Sequence, residues 1–131
     1  MDPKIQAHAN ILELIGKTPL VKLNSLVASY EGEYYAKLES FNPGHSSKDR
    51  IAHYIIERAE EQGILKPGDT IIETTSGNTG FSLAMVSIIK GYECILAVSS
   101  KSSMDKIDML RTMGAKVYVC PAHVSADDPR S

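Results

Sequence analysis

Thr70-Ile71-Ile72-Glu73-Thr74, then Thr75-Ser76-Gly77-Asn78-Thr79-Gly80, then the apolar run from Phe81 to Ile89, decide the fold of this 131-residue chain. The first five residues are mostly β-branched or apolar, the composition of a short buried strand. The next six are small and polar, a loop that opens a helix. Phe81, Leu83, Ala84, Met85, Val86, Ile88 and Ile89 leave that helix apolar almost all round, so burial on both sides is expected. Gly91 is placed to stop it. Cys94-Ile95-Leu96-Ala97-Val98 then reads as a second strand. Strands separated by a helix of this length pair in parallel.

The same cycle extends in both directions. Upstream, Asn42-Pro43-Gly44 is a turn signal. Ser46 and Asp49 have the spacing of a capping box. Ile51, Ile55 and Ala59, joined by Ala52 and Ile56, mark one helical face. Gly63 ends that helix, and Lys66-Pro67-Gly68-Asp69 turns the chain into the strand at Thr70. Downstream, Ser102 and Asp105 form a second possible capping box. Ile107, Leu110 and Arg111 carry a helix to Gly114, and Ala115 to Cys120 is a third strand. The class is α/β, a parallel sheet with flanking helices, and strands this apolar are expected to be covered on both faces. The first forty residues differ. Leu20 to Leu23 and Tyr34 to Glu39 read as two strands, and Ile11 to Leu14 as a short helical turn.

Composition narrows the function classes. Hydrophobic residues make up 43% and charged residues 23%, and net charge is −2. That is enough for an aliphatic core. No basic tract invites nucleic acid. No apolar run approaches the length of a membrane span, and the N-terminus has no signal-peptide core. Cys94 and Cys120 lie in apolar strands, which fits reduced, buried thiols in a cytoplasmic protein. No metal-ligand pattern stands out.

Two segments carry chemistry. In Asn42-Pro43-Gly44-His45-Ser46-Ser47-Lys48-Asp49-Arg50, a lysine stands at a helix N-terminus, where the dipole is positive. That field and partial burial would favour the neutral amine, the nucleophile that forms a Schiff base with an aldehyde cofactor. On this segment alone, an exposed first-turn lysine is the simpler reading. Thr74 to Gly80 lies between a strand and a helix, at the sheet edge where open α/β folds bind ligands. Its free N–H groups can hold a carboxylate or phosphate, and Thr75, Ser76, Thr79 and Asn78 add polar side chains. A capped polar turn fits this segment equally well. It is neither a P-loop nor a Gly-x-Gly-x-x-Gly dinucleotide fingerprint.

These motifs stand in a longer framework: Ile15 to Val21, Lys37-Leu38-Glu39, Asn42-Pro43-Gly44, Ser46 with Lys48-Asp49-Arg50-Ile51-Ala52, Ile72-Glu73, Thr75 to Gly80, Lys90-Gly91-Tyr92, Leu110-Arg111 and Met113-Gly114-Ala115. In this order and spacing the chain resembles fold-type II pyridoxal-phosphate (PLP) enzymes of the β-replacement branch, the cysteine synthase and cystathionine β-synthase family. The resemblance implies the N-terminal portion of a two-domain enzyme. Residues 1–40 would supply strands to the larger domain, and residues 41–131 an incomplete small domain. It also implies PLP as cofactor, with Lys48 as the Schiff-base lysine and later the base for the substrate's α-proton. Asn78 would bind the cofactor's 3′-oxygen. Thr75, Ser76, Gly77, Asn78 and Thr79 would bind the substrate carboxylate. The implied reaction replaces the β-substituent of O-acetylserine, O-phosphoserine or serine with sulfide or a thiol, in a homodimer.

Relatives that dehydrate serine or threonine follow their lysine and their asparagine differently. Asp49-Arg50-Ile51-Ala52 and Asn78-Thr79-Gly80 favour replacement. A dehydratase-type lyase, or a non-catalytic interaction module derived from the family, are the alternatives. The chain departs from the family pattern at His45, Ser47, Thr74, Ser82 and Ser99-Ser100. His45 either lines the site mouth and tunes substrate choice or proton transfer, or is a surface loop histidine. Family members are more than twice as long, so the chain by itself is expected to hold half a site and to be inactive.

Overall fold

The structure, a computed structural model, describes residues 7–75, 77–125 and 127–129. Strands β1 (Leu20–Lys22) and β2 (Tyr35–Lys37) pair antiparallel in a small sheet. Helix α1 (Lys48–Glu61) leads to β3 (Thr70–Thr74), α2 (Asn78–Lys90), β4 (Glu93–Ser99), α3 (Met104–Thr112) and β5 (Lys116–Cys120). The last three strands form a parallel sheet in the order β3-β4-β5. Glycines end the helices as the sequence predicts. Gly91 takes a left-handed φ of 80° at the end of α2, and Gly63 and Gly114 do the same after α1 and α3. A residue without Cβ adopts that conformation at no steric cost.

Helix α2 is the centre of the packing. Gly80 and every residue from Ser82 to Ser87 are buried. On one side Leu83, Met85 and Val86 meet Leu12, Ala52, Ile56 and Tyr92. On the other, Ala84 meets Cys94, Leu96 and Val98 of β4 with Ile107 and Leu110 of α3. Burial of α2 on both sides is therefore as its composition requires. Each large aliphatic side chain fully removed from water stabilises by about 1.5–3 kcal/mol.

Three expectations need correction. The sheet is covered on one face only, for Ile72 is 70% exposed and Tyr118 61% on the other. The stripe on α1 also divides: Ala52 and Ile56 are buried, while Ile51 and Ile55 are exposed. Periodicity identifies an apolar side but not what covers it. Of the two thiols, Cys94 is buried and Cys120 only half-buried, and both are free. Burial pushes the Cys94 thiol up. No helix among the described residues is long and apolar enough to cross a membrane.

The N-terminal segment is tied to α1 through Glu39. Arg50 donates to both carboxylate oxygens of Glu39, Nε at 2.7 Å and Nη2 at 2.9 Å. Thr18 Oγ1 donates at 2.8 Å and Asn42 Nδ2 at 2.9 Å. Asn42 in turn accepts the Gly16 N–H at 2.8 Å. The Arg50 guanidinium, with Thr18 and Asn42, holds the Glu39 carboxyl at about 2, against an ordinary 4.5. A carboxyl with a lowered folded-state pKa stabilises above its unfolded value, and that contribution is lost as pH falls through the folded one. Glu39→Gln is therefore expected to lower the melting temperature at neutral pH. The gap between wild type and variant should close between pH 4.5 and about 2, as read by circular dichroism melts.

Candidate functional site

Two carboxylates align α1 with α2. Near both N-termini, Ser82 Oγ donates to Asp49 Oδ1 at 2.5 Å. Near both C-termini, Glu60 accepts from Lys90 Nζ at 2.7 Å and Tyr92 Oη at 2.8 Å. The helices therefore run parallel, and their N-termini share one end of the molecule. The loop from β3 into α2 lies at that end too, at the C-terminal edge of a parallel sheet, where α/β folds expose ligand-binding loops. Lys48, Gly77, Asn78 and Thr79 are thus brought to one edge.

Lys48 is the first residue of α1, and its side chain is exposed and makes no hydrogen bond among the described residues. The partial burial expected for it is not present. Asp49, beside it, is completely buried. The predicted capping box does not form: Ser46 Oγ accepts the Lys48 N–H at 3.2 Å, but Asp49 turns away to accept the Gly44 N–H and the Ser82 hydroxyl, each at 2.5 Å. At α3, Ser103 occupies the N-cap position, without a side-chain cap.

Gly44 must be glycine for this geometry, because a Cβ there would lie 2.2 Å from Asp49 Oδ1. His45 follows with φ 59°, the one described non-glycine residue with positive φ. Histidine is among the residues enriched in that region. The His45 ring Nδ1 lies 3.2 Å from the Ser40 carbonyl, which accepts from that nitrogen when it is protonated.

In the second loop, Thr75 is buried and its hydroxyl oxygen accepts the N–H of Gly80 at 3.1 Å and of Gly77 at 3.4 Å. It thus caps the helix from inside the loop. Gly80 permits this approach, since a Cβ there would meet Thr75 Cγ2 at 2.4 Å. Gly77 is different: no atom lies within 4 Å of where its Cβ would stand. The first N–H groups of α2, on Asn78 and Thr79, have no intrahelical acceptor. The exposed Asn78 side chain makes no hydrogen bond among the described residues. Ser76 lies outside the described residues.

A cavity of about 210 Å³ borders this edge. It is lined by Gly44, His45, Gly77 and Asn78, by Ser102 before α3 and Lys106 within it, and by the apolar Phe81, Val98, Ile107, Met109 and Leu110. Lys48 is not among its lining residues. The donor set suits an anionic, aromatic cofactor of the PLP kind. Together the edge and the cavity offer, unpaired among the described residues, the Lys48 amine and the Asn78 amide, with bare helix N–H groups beside an open glycine and an apolar lining. Among the described residues, no group of three or more His, Cys, Asp or Glu is placed to hold a metal ion. As cavity-lining residues Ser102 and Lys106 are not evident in the sequence, where Ser102 reads only as half of a capping box and Lys106 as an ordinary helix lysine.

Comparison with known proteins agrees. The sequence profile described as "Pyridoxal-phosphate dependent enzyme" matches residues 11–130. The chain belongs to that family, whose cofactor is PLP. It is 50% identical over 124 residues to a cystathionine beta-synthase of Apis mellifera, covering 93% of this chain and 25% of that protein. It is 48% identical over 113 residues to a probable cysteine synthase of Bacillus subtilis, covering 86% and 36%. Among solved structures, O-ureido-L-serine synthase matches with a TM-score of 0.84 at 40% identity, over 93% of this chain and 38% of that one. A hydrogen sulfide-producing enzyme from Fusobacterium nucleatum matches at 0.83 and 40%, over 92% and 40%. The α/β class and the fold-type II resemblance read from the sequence hold. The chain spans about a quarter of the length of the cystathionine beta-synthase it matches.

Gly44→Ala is expected to cost about 1–3 kcal/mol, the usual range for overpacking. Denaturant unfolding of the two proteins measures it, and a stability equal to wild type would remove the role assigned to Asp49.

Proposed function

We propose that these residues form part of the active site of a PLP-dependent β-replacement enzyme, acting on a serine-type amino acid with sulfide or a thiol. The observation that carries this reading is the convergence of the free Lys48 amine and the open start of α2 on one sheet edge. The names of the relatives support it: cystathionine beta-synthase and cysteine synthase.

The roles follow from position. Lys48 carries the cofactor and afterwards takes the proton from the substrate's α-carbon, for which its exposed, unpaired amine is free. Asn78 directs its amide to the cofactor's 3′-oxygen. The N–H groups of Asn78 and Thr79, with Gly77 leaving room, receive the substrate carboxylate, and the Thr79 hydroxyl adds a donor. Thr75 supports this loop from below, since its hydroxyl oxygen is already occupied by Gly80 and Gly77. Its single proton is left for the ligand. PLP, when bound, draws electrons from the substrate's α-carbon, and the protein's part is to orient the reacting bond and hold charge.

The short match to relatives supports a pocket only partly built by these residues. The uncovered Ile72, Tyr118, Ile51 and Ile55 support further structure against this part of the molecule. Residues 1–40 are assigned to the larger of two domains and 41–131 to the smaller, in a homodimer.

In the whole protein, Lys48→Ala is expected to reduce β-replacement by about a thousandfold or more, as loss of a covalent catalytic group does. Product formed from O-acetylserine and sulfide, and separately from serine and a thiol, checks this and identifies the acceptor. Replacement activity retained by the variant would reject the assignment. The 131 residues alone are expected to give no product in either assay.

A further inference from the structure

We propose that Ser82 is a positioning residue that, through Asp49, fixes the turn carrying Lys48 against the turn carrying Asn78. The proposal rests on the reading of Lys48 and Asn78 as cofactor contacts, and it concerns a residue that contacts no ligand in that reading.

Ser82 and Asp49 are both completely buried. The Ser82 hydroxyl has a single proton and two acceptors in reach, Asp49 Oδ1 at 2.5 Å and the Asn78 carbonyl at 2.9 Å. Both contacts use that one proton, and the carboxylate, the stronger acceptor at the shorter distance, takes the larger share of it. The same hydroxyl oxygen thereby stands between the residue next to Lys48 and the backbone of Asn78 itself. Asp49 Oδ2 takes the Gly44 N–H, which extends the link to the loop before α1. Both oxygens of this buried carboxylate are thus committed to one donor each.

This arrangement separates positioning from general stability, because the helices are also joined at their far end. Tyr92 donates to Glu60 there at 2.8 Å. Tyr92→Phe removes that bond and leaves the Ser82 end intact.

The test compares Ser82→Ala, Asp49→Asn and Tyr92→Phe in the 131-residue chain. Two readouts are used: the amide resonances of Gly44, Lys48 and Asn78 without ligand, and PLP affinity by absorbance titration. Ser82→Ala is expected to move all three resonances and to weaken PLP binding roughly ten- to a hundredfold, the scale of one lost hydrogen bond to a charged group. Asp49→Asn should reproduce the shifts at Gly44 and Lys48. The double variant should add little to either single change, because both act on one link. Tyr92→Phe should lower the melting temperature without moving these resonances or the affinity. Unshifted Gly44 and Asn78 signals in Ser82→Ala would overturn the inference, as would equal shifts in Tyr92→Phe. Absence of saturable PLP binding by the wild type would reject a cofactor site built by these residues alone, and the resonances would still decide whether Ser82 couples the two turns.

Discussion

Asp49 at one end and Glu60 at the other hold α1 parallel to α2, and the place of each candidate site residue follows from that alignment. Turned end for end, α1 would carry Lys48 to the far edge of the domain, away from the loop into α2. The two contacts differ in kind. Glu60 is a partly exposed ion pair with Lys90, and its carboxyl is lowered chiefly by that partner. Exposed pairs of this sort contribute little by themselves. Asp49 is sealed from solvent, and a buried carboxylate is tolerated only where donors satisfy it. Gly44 and Ser82 provide them.

Much of this fold is legible in the sequence because its causes are local. β-Branched runs mark β3, β4 and β5, and glycines at left-handed positions mark the ends of the helices between them. The all-round apolar character of α2 correctly implies burial on two sides. Other features have causes far along the chain and escape a local reading. Ser46 and Asp49 have capping-box spacing, yet Asp49 is drawn away by a hydroxyl 33 residues on. Ile72 and Tyr118 belong to convincing strands and are nevertheless exposed, since strand composition does not reveal whether a second layer is present. Gly16, Thr18, Glu39, Asn42 and Arg50 appear in the sequence as scattered parts of a family framework. In space they form one hydrogen-bonded network, which explains why they occur together.

For the candidate site, the sequence shows where its proposed residues stand on the elements more than how their side chains are arranged. Lys48 and Asn78 do occupy the first positions of adjacent parallel helices. Thr75, by contrast, is turned inward as a cap for α2, so its part is to shape the loop that Gly77 leaves open. The cavity wall from α3, with Ser102 and Lys106, adds polar groups on the side facing His45 and Asn78. His45 holds a backbone conformation that suits glycine better, in the lining of that cavity, and no other described lining residue has an imidazole.

The central claim is that Lys48, at the start of α1 beside the open start of α2, is the lysine that carries the cofactor. Incubating the 131-residue chain with PLP, reducing with borohydride and mapping the modified peptides by mass tests it directly. The account predicts one label per chain, on Lys48. Weak labelling scattered across Lys48, Lys101, Lys106 and other surface lysines would contradict it.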